Sequence, residues 1–208
     1  YENFRIIQET LAHCYFDSGK AEDAFKNILN DERENFSRYN FFYANYLLKK
    51  NKVLDAKRAI NVSSNENPKN LLINQLNKSI VDKKRNKNEF NCSNKNHILA
   101  EIFYVVSNAL SNQLNYELSN FYINLAKYLN PKFLSFESLL AENLFILKKY
   151  NKSVKSYNKL SKIGSVYSWY AEKQIAFIFY DQDKKNYAIE SLKRAYQKIN
   201  PDIYQIYD

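Results

Sequence analysis

Thiol catalysis needs an imidazole placed to take the thiol's proton, and His13-Cys14 is the first pair of the right types in the chain. Neighbours on a helix point about 100° apart, so these two side chains do not face each other. Cys92 and His97 are both zinc-ligand types, but a structural zinc takes four ligands. The chain holds only 2 Cys and 2 His in all. Two cysteines also make no disulfide framework, and they leave the compartment undecided. Glu9, Glu101 and Glu142 fall at different depths of their segments, so no acid–base pair is formed. With Gly19 and Gly164 the only glycines, no phosphate-cradling loop exists. The expectation is no catalytic residue, no metal and no cofactor.

Charge offers the next possibility. The net charge is +9, which suits nucleic acid or an anionic membrane. The basic runs are Lys83-Lys84-Arg85 with Lys87, Lys148-Lys149 with Lys152 and Lys155, and Lys184-Lys185 with Lys193-Arg194. Each falls at a helix end or on an outer face, and cations at a helix C-terminus are favourable by about 0.3–1 kcal/mol. A nucleic-acid groove needs its charges along one line with aromatics between them. The abundance of Lys, Asn, Ile, Tyr and Phe also reads as the signature of an A- and T-rich coding sequence. No apolar run approaches the roughly 18 residues of a membrane helix.

The elements that would position any site are helices. With 2 Gly and 3 Pro in 208 residues, the chain lacks the punctuation of a β-sandwich or a Rossmann domain. Residues 100–131 show the unit. Ile102, Phe103, Val106, Ala109 and Leu110 recur at helical spacing, 112–115 break the pattern, and Leu118, Phe121, Tyr122, Leu125, Ala126 and Leu129 resume it before Asn130-Pro131. Similar units start near 5, 37, 134 and 169. All three prolines close a second helix, and both glycines fall in turns. Between them, 69–96 is an irregular unit: a helix with Leu71, Leu72, Leu76 and Ile80, then a polar stretch over 85–96. With no apolar period, that stretch is expected to be non-helical and mobile. Residues 202–208 read as the start of a further repeat.

A unit of about 34 residues with this pattern resembles the tetratricopeptide repeat. The large–small pair of helix A reads Leu11-Ala12, Tyr43-Ala44, Val106-Ser107, Leu140-Ala141 and Ile175-Ala176. The small residue early in helix B reads Ala24, Ala56, Ser119, Ser153 and Ala188; the late one reads Ala126 and Ala195, with Asp31, Ser63 and Leu160 departing from it. The resemblance implies an all-α, right-handed superhelix (an α-solenoid) of stacked antiparallel helix pairs, forming one array over 1–208. It also implies a protein or peptide partner on the concave helix-A surface, at Arg38, Phe41, Asn45, Tyr104, Asn108, Tyr170 and Phe177. Asn amides can pair with an extended peptide backbone, and aromatic rings give rigid apolar contact. No repeat carries the Lys–Asn carboxylate clamp of the chaperone-binding members. An RNA-reading helical repeat would place Asn, Ser or Thr where Glu9, Phe41, Tyr104, Ser138 and Lys173 stand, which fits poorly. The other alternative is a helical accessory region of a larger enzyme or assembly. Oligomeric state stays open.

Overall fold

Each apolar three-and-four spacing folds as a helix. A computed structural model describes residues 2–29, 37–66, 68–84 and 86–201; residues 202–208 lie outside them. The helices are α1 (Glu2–Tyr15), α2 (Ala21–Leu29), α3 (Ser37–Lys49), α4 (Val53–Glu66), α5 (Leu71–Val81), α6 (Lys95–Asn112), α7 (Tyr116–Leu129), α8 (Phe136–Ile146), α9 (Tyr150–Leu160), α10 (Ser165–Asp181) and α11 (Lys185–Ile199). The protein is an all-α solenoid. Each first helix lies against its own second helix, and each second helix meets the next first helix, as α2 with α3, α4 with α5, α7 with α8 and α9 with α10.

Small residues set the crossings. Ser107 and Ser119 are fully buried, and each hydroxyl donates to the other's backbone carbonyl at 2.8 Å. Ser153 donates to the Ala141 carbonyl at 2.7 Å, and Ala176 and Ala188 are both buried. Close backbone approach lets the larger neighbours interdigitate. Ala141→Phe is therefore expected to cost about 1–3 kcal/mol or more by overpacking; an unshifted urea midpoint would show that α8 and α9 cross elsewhere. In the first unit the register differs from expectation. Ala12 is exposed and Ala24 half-buried, while Ala21, Phe25 and Ile28 carry the core.

A second regularity is not visible in the residue types. All six first helices end on a non-glycine residue in the left-handed region: Asp17 (φ 48), Asn51 (φ 60), Lys83 (φ 53), Leu114 (φ 62), Lys148 (φ 56) and Asp183 (φ 65). The following amide closes each turn on a carbonyl five residues back, as in Ser18 to His13, Lys84 to Ser79 and Lys149 to Leu144. This is the Schellman closure, which satisfies orphan carbonyls at a helix end. The irregular unit thus keeps its first helix and its turn and loses only its second helix.

The stacking order breaks there. α5 lies against α3, α4 and α10, while α6 lies against α1, α7 and α8. The chain therefore forms two short arrays, α1–α5 and α6–α11, whose first-helix sides face each other. One core joins them, with Leu11, Phe41, Phe42, Leu72, Ala100, Phe133, Phe136 and Leu140. At the α5–α10 contact, Gln75 accepts from the Val166 amide at 3.1 Å. A Cβ at Gly164 would meet the end of that Gln75 side chain at 2.2 Å, so any larger residue there would push Gln75 aside.

The polar stretch, expected as a non-helical mobile loop, packs as a wedge between the arrays. From residue 86 it is non-helical as far as Asn94, the N-cap of α6. Yet Asn88 and Cys92 are buried, and Cys92 is disulfide-bonded to Cys14 of α1. Phe90 stacks on Phe42 with centroids 4.0 Å apart. Asn88 accepts from the Ser135 amide at 3.1 Å, Asn130 donates to the Glu89 carbonyl at 2.9 Å, and Lys87 donates to the Lys162 carbonyl at 2.7 Å. Two apolar residues without periodicity suffice to anchor it.

Candidate functional site

The facing arrays decide which of the seven expected contact residues can meet a partner. Arg38 leaves α3 toward α6 and forms a fork with Glu101, Nε and one terminal nitrogen each donating at 2.7 Å. Glu101 is fully buried. The guanidinium carbon lies 4.0 Å from the Tyr104 ring centroid, 5.0 Å from Phe133, 5.3 Å from Phe42 and 5.8 Å from Phe136. Burial pushes the Glu101 carboxyl above its ordinary value, against the pull of Arg38. The guanidinium stays charged throughout, favoured by Glu101. Arg38 and Tyr104 are thus spent on holding the arrays together.

Phe41 is fully buried under Phe133 and lines no surface. Tyr170 donates to Glu142 at 2.7 Å, and its phenol is pushed up chiefly by burial and then by that carboxylate. Asn108 and Phe177 are exposed, but Phe177 sits on α10 at the far end of the second array. Asn45 alone lines a sizeable cleft. Its amide donates to the Phe41 carbonyl at 2.7 Å, which fixes its direction.

That cleft has a volume of about 650 Å³ and lies between α3, the wedge and the turn at 130–132. Six asparagines line it: Asn45, Asn86, Asn88, Asn91, Asn94 and Asn130, with Phe90, His97 and Lys132 among the remainder. A side lobe of about 300 Å³ shares Asn45, Phe90 and Asn91 and reaches Tyr46 and Lys49. Lys49 donates to Asn91 at 3.1 Å and to Ser93. His97 accepts the Asn91 amide at Nδ1 (3.0 Å), which requires a neutral imidazole with its proton on Nε2. Burial lowers its pKa in agreement with that role. The side-chain oxygen of Asn130 is buried with no partner.

The lining is made mostly of hydrogen-bonding amides. His97, Glu89 and Lys132 are its only ionisable side chains, the last two are ion-paired at 3.3 Å, and Cys92 is oxidised. His13 bonds to Ser18 at 2.9 Å rather than to Cys14. Among the described residues, no group of three or more His, Cys, Asp or Glu could hold a metal ion, and no helix is long and apolar enough to cross a membrane. The wedge residues of the site escape sequence reasoning because asparagines without periodicity read as solvated loop. The one available signal is Phe90 and Cys92 inside that polar run.

No family model and no curated protein matches the chain. Solved structures match over nearly its whole length. A MamA protein is 14% identical, with 95% of this chain and 92% of that one covered at a TM-score of 0.42. A tetratricopeptide repeat protein from Parabacteroides merdae is 14% identical, covering 99% and 83% at 0.42. A thermophilic tetratricopeptide protein of Thermus thermophilus, TTC0263, is 12% identical, covering 99% and 94% at 0.43.

Proposed function

We propose that this solenoid of tetratricopeptide-like units is a non-catalytic scaffold that binds an extended peptide or protein segment in the asparagine-lined cleft, with Asn45 as a principal contact. The observation that carries the reading is the convergence of six asparagines on one cleft of about 650 Å³. Each already makes one bond within the chain, as Asn45 to the Phe41 carbonyl and Asn130 to the Glu89 carbonyl, and the donors and acceptors left on the exposed amides suit an extended backbone. Phe90 supplies an apolar floor, and Tyr46 and Lys49 flank the side lobe.

Selection from a displayed random-peptide library on the folded chain tests this. Enriched peptides are expected to bind competitively with one another and to lose at least about tenfold in affinity on Asn45→Leu, which corresponds to about 1.4 kcal/mol. Charge reversal at Lys152 and Lys155, exposed on α9, is expected to change little. If the basic-face variants dominate instead, with steep salt dependence, the ligand is a polyanion such as RNA and the cleft reading fails.

A further inference from the structure

The lost second helix of the irregular unit leaves a surface uncovered. In the second array, α8 covers one side of α7 through Asn143 to Ser119 and Asn120, and Lys127 to Glu137. On the opposite side, apart from the contact of α6 with α1, no described helix stacks on the α6–α7 pair. That side is apolar along both helices. α6 offers Leu99, Ile102 and Val106, and α7 offers Leu118, Phe121 and Leu125, both at three- and four-residue spacing. Leu99 is 43% exposed, Leu118 41% and Phe121 57%.

We propose that this face docks a second copy of the chain, pairing α6–α7 with α6–α7 about a two-fold axis. Charge selects this occupant. The chain is +9 overall, so two copies repel across most approaches. The α6–α7 pair is the exception. Its charged residues are Lys95, Glu101, Glu117 and Lys127. Glu101 is buried on Arg38, Lys127 is bonded to Glu137, and Glu117 reaches toward Lys149 on the far side at 3.8 Å. Lys95 alone lies on the stripe, at its end, one turn before Leu99. An acidic partner drawn by the basic surface would find no cationic rim here. A second copy buries Leu, Val and Phe against themselves, with Lys95 left in water at the rim.

The face is two helices wide, and α7 spans 14 residues, so each copy offers about 400 Å² of flat area. That is below the roughly 800 Å² per partner of standard interfaces, so the dimer is a reversible one. Sedimentation equilibrium on the full chain is expected to show monomer and dimer exchanging in the range of about 10–100 μM. Raising NaCl is expected to preserve or strengthen the dimer. Phe121→Glu is expected to weaken association at least tenfold with little change in melting, because Phe121 is 57% exposed, and Leu118→Lys is expected to weaken it likewise. A chain that stays monomeric to about 1 mM overturns the proposal, as does a dimer that both variants leave intact. A dimer lost on Lys152→Glu and weakened by salt overturns it in favour of a charged contact.

Discussion

Arg38→Ala is expected to destabilise the protein by about 3–5 kcal/mol, because it strands Glu101 as an unpaired charge where no solvent reaches. The loss is larger than that of a surface ion pair, which contributes about 0–1 kcal/mol. It also opens a gap among four aromatic rings that now pack on the guanidinium. Removing both charges tests the cause. Arg38→Met with Glu101→Leu is expected to recover most of the loss, since a buried pair replaced by apolar side chains of similar volume is often neutral or stabilising. Urea midpoints of the wild type, the single variant and the double variant give the comparison. A single variant within about 0.5 kcal/mol of wild type would mean that α3 and α6 do not meet as described.

Reduction of the Cys14–Cys92 bond is expected to cost about 2–5 kcal/mol. The two residues are 78 apart in sequence, and cross-linking a loop of that length removes about 4–5 kcal/mol of closure entropy from the unfolded chain in the chain-entropy account. The Cα–Cα distance of 5.7 Å is ordinary for a disulfide. A reductant should therefore lower the urea midpoint of the wild type and leave Cys14→Ser with Cys92→Ser unaffected, at the reduced wild-type value. The wedge should respond most. Its amides are expected to exchange slowly in the oxidised protein and to quicken on reduction before those of α8 and α9. Two titratable thiols in the chain unfolded without reductant would remove the bond from the description.

The helix pairs are legible in the sequence because they rest on local spacing. Val106-Ser107 over Ser119 and Leu140-Ala141 over Ser153 follow from residue size alone, and the structure places each pair at a crossing. The closure of the arrays is not legible, because nothing periodic records a contact between residues 38 and 101 or between 75 and 166. Phe41 illustrates the cost. Its position on the first-helix face follows from the spacing, but that face is shared with Phe133 rather than open. Glu101 carries a usable hint: a carboxylate in the middle of an otherwise apolar helix calls for a cation, and Arg38 stands on the matching face. The left-handed turns are hidden because Asp, Asn, Lys and Leu fill places where glycine would have announced them.

The side-by-side arrangement of the arrays bears on how the chain reaches this structure. A linear repeat array makes contacts only between neighbours, so it can zip up from any point and fray from its ends. Here Arg38 waits for Glu101, 63 residues on, and Gln75 waits for Val166, 91 residues on. Long-range contacts of this kind slow folding by orders of magnitude relative to local ones. During synthesis from the N-terminus, α1–α5 emerge with the buried sides of Phe41, Phe42 and Leu72 still bare, until α6–α8 arrive to cover them. α1 is held by α6 and α10 by α5, with α11, among the described helices, resting on α10 alone, so α1–α10 are expected to unfold as one body.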